Sequence, residues 1–128
     1  MVPDEMGSFR TDIELENPEQ PGERRTVEAL LVDTGSELTW VPADVLESLG
    51  IVRIKQLRFR QATGAIVERW TGEARIRAAS TRTIDEVVFG EADDLCLLGA
   101  RTLEGLNVVV DPVNRRLVDA GAMPAAAT

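Results

Sequence analysis

Apolar and polar residues alternate along much of this chain, which is the pattern of β-strands that bury one face. Phe9, Ile13 and Leu15 fall on one face of the first predicted strand. Residues 17–23 contain two prolines and a glycine, and they are predicted to form a hairpin loop. A second strand is predicted over residues 25–32, and its last four residues are the apolar run Ala-Leu-Leu-Val.

The middle of the chain combines a short predicted helix with a long hairpin. Residues 42–50 begin with Pro, carry apolar residues at helical spacing and end in Gly, so they predict a helix. Alternation over residues 54–61 and 66–78, on both sides of Gly64, predicts a hairpin with its turn at this glycine.

The last third of the chain predicts further short elements. In order, they are a strand at 84–89, a segment at 95–98 that leads into a helical turn at 101–106, strands at 108–110 and 116–118 that close the sheet, and a loose Ala-rich tail at 119–128. The pattern therefore predicts an all-β fold with one or two short helices. We expect one domain over residues 1–128, with its core at about 9–118.

Composition narrows the functional classes. The chain has 128 residues, of which 44% are hydrophobic and 28% charged, as expected for one globular domain. A net charge of −8 disfavours nucleic-acid or anionic-membrane partners, because phosphate groups would be repelled. No apolar run approaches a membrane span, and the first residues do not resemble a signal peptide, so we expect a cytoplasmic protein. With no His and the single cysteine Cys96, zinc ligation by a Cys/His set is excluded. We also expect no other metal and no cofactor.

The most informative segment is Asp33-Thr34-Gly35-Ser36, which follows the apolar run of the second strand. A carboxylate at a strand end can reach an open cleft, and the glycine permits a tight turn. Two carboxylates brought together share one proton, so that one activates water while the other protonates a carbonyl oxygen. Because the segment occurs only once in the chain, this chemistry predicts a homodimer. Ser36 is expected to donate to the carboxylate and to favour an acidic working pH.

At this point the chain resembles the aspartic protease superfamily. Residues 33–42 are similar to the first active-site loop of the pepsins, whereas the chain length and the single Asp-Thr-Gly resemble the retroviral-type retropepsins. Residues 97–103 resemble the apolar-apolar-Gly segment and short helix near the end of those enzymes. The small prokaryotic retropepsin-like proteins are similar over segments like residues 98–106 and 110–117. The resemblance extends over residues 9–118.

The resemblance implies an aspartic endopeptidase with a single-lobe acid-protease fold. In this fold a bent, barrel-like sheet carries a flap hairpin, and two subunits form the active site without a metal or cofactor. The implied site residues are the catalytic Asp33; the supporting loop residues Thr34, Gly35 and Ser36; the flap residues Ala62, Thr63, Gly64 and Ala65, which would bind a peptide or protein substrate; and the nearby structural residues Trp40, Leu98, Gly99 and Arg101. The chain contains no Tyr, so the flap tyrosine of the pepsins has no counterpart.

Two other interpretations remain open. In the first, the role of Asp33 is structural: its side chain forms an Asx-turn, which is the usual role of such a tripeptide. The chain can also be a catalytically weak or inactive dimeric peptide-binding module of the same fold, because fold does not guarantee function. A phosphotransfer enzyme is rejected, since Thr34 and Gly35 occupy positions where its carboxylate or lysine would be needed.

Overall fold

The computed structural model describes residues 9–126, which form nine strands and two short helices. The strands are β1 (Arg10–Glu16), β2 (Arg24–Val32), β3 (Thr39–Pro42), β4 (Lys55–Arg60), β5 (Ile66–Ala78), β6 (Thr81–Gly90), β7 (Leu97–Leu98), β8 (Val108–Asp111) and β9 (Arg116–Asp119). The helices are α1 (Ala43–Ser48) and α2 (Ala100–Leu106). The prediction of a mainly-β fold with one or two short helices is therefore confirmed.

Seven strands form one mixed sheet in the order β1-β2-β7-β3-β6-β5-β4. The long strand β5 pairs with β4 through its first half and with β6 through its second half. Residues Arg75–Arg77 of β5 also pair with the end of β1, which bends the sheet back on itself. The result is a ring-like sheet rather than a complete barrel, with β4 projecting from the ring.

Two parallel contacts set the centre of this sheet. Leu31 and Val32 of β2 run parallel to β7, and β3 runs parallel to β6. Trp40 of β3 is in turn opposite Leu97 of β7. Because both parallel pairings join strands far apart in the sequence, they bring the segment after β2 beside the segment before α2.

The main apolar core lies against this ring and is completed by both helices. Its buried members extend along the chain from Phe9 to Val108 and include fully buried Leu15, Leu46 and Leu98. Burial of each such side chain stabilises the fold by roughly 1.5–3 kcal/mol relative to leaving it in water. The alternation predicted for the strands thus marks the face that is buried.

The residues at the two ends of α1 explain why this helix is short. Pro42 occupies the position before the first helical residue, where its missing N–H costs no hydrogen bond. Gly50, just beyond the helix, has a positive φ of 74° and donates its N–H to the carbonyl oxygen of Glu47. The predicted Pro-to-Gly helix is therefore confirmed, with Leu46 as its fully buried residue.

The end of the chain differs from the prediction. Strands β8 and β9 pair only with each other, in a separate two-stranded sheet, and do not close the main sheet. The predicted loose tail begins inside β9 at Asp119, and the N–H of Ala120 donates to the carbonyl oxygen of Asn107. Residues 121–126 have no regular secondary structure and are exposed. The remainder of the predicted tail, like the first eight residues of the chain, lies outside the described residues.

No helix within the described residues is long and apolar enough to cross a membrane.

Candidate active site

Asp33 is the first residue after β2, and its backbone is tied to β7. Its N–H donates to the carbonyl oxygen of Leu98 at 3.0 Å, which extends the parallel pairing by one residue. The side chain is half-buried, while Thr34 and Gly35 are exposed. The sequence prediction of a carboxylate at a strand end beside a tight turn is confirmed.

The carboxylate of Asp33 is oriented by its own loop. The N–H of Gly35 donates to Oδ1 of Asp33 at 2.9 Å, which is the geometry of an Asx-turn. Within the described residues, Oδ2 receives no hydrogen bond from the protein. One oxygen of the carboxylate is thus held by the loop, and the other has no hydrogen-bond partner among the described residues.

Ser36 does not play the role that the sequence predicted. Its hydroxyl donates to the carbonyl oxygen of Leu38 at 2.9 Å and not to the carboxylate of Asp33. Its N–H donates to the carbonyl oxygen of Asp33 at 3.2 Å. Ser36 therefore stabilises the loop backbone, and the expected effect on the working pH loses its structural basis.

The segment that begins α2 holds the other side of this loop. The N–H groups of Ala100 and Arg101 donate to the carbonyl oxygens of Ser36 and Glu37, at 2.8 and 3.0 Å. Gly99 permits this approach, because a Cβ at this position would lie 2.6 Å from the carbonyl carbon of Leu38. The structure thus brings the two sequence signatures together, and Gly99 allows close packing against the loop.

Beneath the loop is a buried hydroxyl network that the sequence did not reveal. The N–H of Gly99 donates to Oγ1 of Thr39, and the hydroxyls of Thr39 and Thr102 are hydrogen-bonded at 2.6 Å. Oγ1 of Thr102 also donates to Oδ2 of Asp85 at 2.9 Å. Both threonines are fully buried. Thr39 lies among apolar residues in the sequence, which is a signal for a buried polar partner. Thr102 lies between Arg101 and Leu103 and carries no such signal.

The guanidinium of Arg101 lies close to two carboxylates of β6. Its guanidinium lies 3.6 Å from Oδ1 of Asp85 and 3.9 Å from Oε1 of Glu86, and about half of its side chain is exposed. Its ion pairs in the described chain are therefore intramolecular. The role in joining subunits that the resemblance implied for Arg101 stays a prediction.

A second, smaller apolar cluster lies beside the Asp33 loop. We call it the floor cluster, and its buried members are Leu31, Leu38, Trp40, Val88 and Leu97. Half-buried Leu57, Phe59 and Val67 of the β4–β5 hairpin pack against it. Trp40 meets Phe59 edge to face, with ring centroids 5.0 Å apart. The inner face of the hairpin therefore contacts the same residues that flank the loop.

The tip of this hairpin is formed by residues 62–65, all of them exposed. Gly64 has a positive φ of 92° at the turn, and its N–H donates to the carbonyl oxygen of Gln61. Ala62, Thr63 and Ala65 complete the tip, and the N–H of Ala65 donates to the hydroxyl of Thr63. The predicted hairpin and its turn are confirmed. No hydrogen bond joins this tip to the Asp33 loop within the part of the chain that the structure describes.

An ion pair fixes the base of the hairpin. Arg69 of β5 donates two hydrogen bonds to Asp94, Nε to Oδ2 at 2.7 Å and Nη2 to Oδ1 at 2.8 Å. The guanidinium, helped by the N–H of Glu91, lowers the pKa of Asp94, and Asp94 raises the pKa of Arg69. Both oxygens of Asp94 are therefore occupied by Arg69, which ties β5 to the turn after β6.

Other candidate chemistry lies away from the loop. Among residues 9–126, no three His, Cys, Asp or Glu side chains are arranged to hold a metal ion. Burial, together with nearby Asp94 and Asp44, raises the pKa of Cys96, which makes its thiol less reactive. An open groove of about 650 Å³ is lined by residues of β1, β2 and the β5–β6 turn, and none of them belongs to the Asp33 loop.

Comparison with known proteins gives no independent assignment, because no family model matches the chain and no curated protein matches it significantly.

Proposed function

We propose that this chain is an aspartic endopeptidase that acts as a homodimer, with one Asp33 from each subunit. The observation that carries the proposal is the state of the Asp33 carboxylate. Its Oδ1 is held by the N–H of Gly35, its Oδ2 has no hydrogen-bond partner among the described residues, and the loop is anchored on both sides by β7 and the start of α2. An oriented carboxylate with one unengaged oxygen is what acid-base catalysis by a carboxylate requires.

Two such loops related by a two-fold axis would place two carboxylates together. Like charges at short distance disfavour ionisation of both, so the pair would hold one proton. The ionised carboxylate takes a proton from a bound water, which attacks the peptide carbonyl carbon, while the protonated carboxylate donates to the carbonyl oxygen. The pair then returns a proton to the leaving amine as the tetrahedral intermediate collapses. No acyl-enzyme forms.

The ring-like sheet with its projecting hairpin is compatible with the single lobe of an acid-protease fold. In this proposal the floor cluster supports the cleft, and the hairpin tip, residues 62–65, acts as the flap over an extended substrate. Phe59 and Trp40 link the hairpin to the floor through their edge-to-face contact. Movement of the tip could exclude water while the anchored base stays in place. A cytoplasmic location remains part of the prediction.

A second candidate is a dimeric peptide-binding module without turnover. The observation that favours it is the same hydrogen bond from Gly35, because a purely structural Asx-turn makes this contact too. In addition, the hydroxyl of Ser36 turns away from the carboxylate.

Digestion of a diverse peptide library, analysed by mass spectrometry from about pH 3.5 to about pH 7.5, tests the first candidate. We expect wild-type protein to cleave and Asp33→Asn to lose cleavage by at least roughly 100-fold, as for loss of an acid-base group. Asp93→Asn is the matched control, since Asp93 is an exposed carboxylate in the turn after β6. Cleavage that persists in Asp33→Asn would contradict the proposal. Peptide binding by a folded wild-type dimer without cleavage would favour the binding module.

A further inference from the structure

The β4–β5 hairpin differs in charge from the rest of the protein. Over residues 55–71 it carries four cations against the single carboxylate of Glu68, whereas the whole chain has a net charge of −8. The cations are Lys55, Arg58, Arg60 and Arg69. Lys55 pairs with Glu86, and Arg69 pairs with Asp94 and Glu91. Arg58 and Arg60 are exposed and have no side-chain partner within the described residues.

Strand β4 is also an open edge of the sheet. It is the last strand in the sheet order, and within the described residues it pairs only with β5. At the hairpin turn, the N–H of Gln61 donates to the carbonyl oxygen of Ala65. Because hydrogen-bonded pairs alternate along an antiparallel ladder, the N–H and C=O groups of Gln56, Arg58 and Arg60 face away from β5. An extended peptide can add to such an edge.

The two faces of β4 would select different side chains in that peptide. Leu57 and Phe59 lie on the inner face, against the floor cluster. Arg58 and Arg60 lie on the outer face, since successive residues of a strand point in opposite directions. Neighbouring strands place side chains of the same face beside one another, so apolar peptide residues would meet Leu57 and Phe59, and acidic residues would meet the arginines.

We propose that the open edge of β4 binds an extended peptide in which acidic and apolar residues alternate, and that this is the substrate class of the protein. The inference rests on the proposed function, because it concerns the peptide that the proposed enzyme would cleave. The acidic surface elsewhere does not cancel this selectivity. Screening limits exposed charges to about 8 Å at physiological ionic strength, so the local arginines dominate.

Peptide binding by full-length Asp33→Asn tests the inference without any need for cleavage. The probes are a fluorescent peptide of alternating Val and Asp, the same peptide with Lys for Asp, and the acidic peptide with Pro at alternate positions, which removes the N–H groups needed for strand addition. Fluorescence anisotropy should show binding of the first peptide only. The Kd should rise with salt.

Variants of the two arginines provide the specificity test. In the Asp33→Asn background, Arg58→Gln with Arg60→Gln should weaken binding of the acidic peptide by up to roughly 25-fold, on the basis of up to about fivefold for each exposed ion pair. Arg82→Gln is the control, because Arg82 is an exposed arginine on β6 and should leave the Kd unchanged. Both arginines are on the surface, so circular dichroism should show an unchanged fold.

Several results would overturn the inference. They are equal binding of the acidic and basic peptides, equal binding of the Pro-containing peptide, or competition by a single-stranded oligonucleotide as effective as that by the acidic peptide. A change in molecular mass in the double variant with no change in peptide Kd would instead assign the edge to a second copy of this chain.

Library cleavage without acidic enrichment would refute this inference alone. Arginine-dependent binding without any wild-type cleavage would refute the protease proposal and the substrate role, and would leave the peptide-binding edge of β4 in place.

Discussion

At the candidate active site, hydrogen bonds from backbone N–H groups hold Asp33 in position more directly than those from hydroxyl groups. Gly35 fixes one oxygen of Asp33 through its N–H, whereas the hydroxyl of Ser36 is directed to a carbonyl oxygen of the loop. Thr39 and Thr102 act one layer below, where they satisfy the N–H of Gly99 and a carboxylate oxygen of Asp85. Because a buried polar group left without a partner costs about 1–3 kcal/mol, this network holds the loop in one position.

Glu16 is the residue whose charge matters most clearly for stability. Its buried side chain accepts hydrogen bonds from the N–H of Gly22 and from the guanidinium groups of Arg77 and Arg75. These contacts lower its pKa from 4.5 to about 2. A depressed carboxyl pKa in the folded state means that the stabilisation is complete above the ordinary pKa. The stabilisation is lost as the pH falls from about 4.5 towards about 2.

We therefore predict that Glu16→Gln destabilises the protein at pH 7 and that the difference from wild type shrinks below pH of about 4.5. Urea unfolding at a series of pH values measures this difference. Glu14→Gln is the matched control, because Glu14 forms a more exposed pair with Arg24 and should change stability little. A difference between wild type and Glu16→Gln that stays constant with pH would contradict the assigned role.

At the scale of elements, the β4–β5 hairpin is anchored at one end and free at the other. Its base is tied through Arg69 to Asp94, its middle packs on Trp40, and its tip at residues 62–65 is exposed. The paired hydrogen bonds of a guanidinium and a carboxylate fix direction as well as distance. We infer that motion of this hairpin is confined to the tip.

Asp94→Asn should loosen the hairpin as a unit. We expect a loss of about 1.5–3 kcal/mol, typical of hydrogen bonds to charged groups, and faster amide hydrogen exchange in β4 and the first half of β5. Exchange in β1 and β2 should change much less. Hydrogen exchange with mass spectrometry measures both effects.

Glu91→Gln provides the control for this variant. Glu91 is the exposed partner of Arg69 at 3.7 Å, and its removal leaves the paired hydrogen bonds to Asp94 intact. If the two variants accelerate exchange in the hairpin equally, the pairing geometry is not what anchors it.

At the scale of the whole molecule, one chain supplies one Asp33 loop, and the proposed reaction needs two. Activity should therefore follow the dimer and not the total protein. Below the dissociation constant, mass action predicts that the rate per subunit falls on dilution. Activity measured over a wide dilution series, with mass determined in parallel by light scattering, tests this expectation. A constant rate per subunit with a monomeric mass throughout would exclude the two-carboxylate reaction.

Subunit mixing sharpens the same test. Asp33→Asn added in excess should inhibit wild-type protein, because mixed dimers contain one carboxylate and one amide. Asp93→Asn added in the same excess should not inhibit. When Asp33→Asn is added after the substrate, inhibition should develop only at the rate at which subunits exchange.

Local sequence signals predicted the elements that local physics controls. The proline and glycine at the two ends of residues 42–50 predicted α1, and the alternation around Gly64 predicted the β4–β5 hairpin. Both predictions are close to the observed bounds. The turn between β5 and β6 had no such signal. Ala79 and Ser80 both have positive φ, at 51° and 66°, without the Gly or Asn that usually marks this conformation. As a result, β6 begins three residues before the predicted strand.

The sequence by itself determined that the chain is mainly β and that Asp33 follows a buried strand beside a tight turn, because periodicity and turn residues act over a few neighbours. Only the tertiary structure decided that β2 pairs with β7, that β8 and β9 leave the main sheet, and that Ser36 bonds to the loop backbone. Strand partners and hydroxyl directions depend on which distant surfaces pack together. That choice is made by the whole core and not by any one segment.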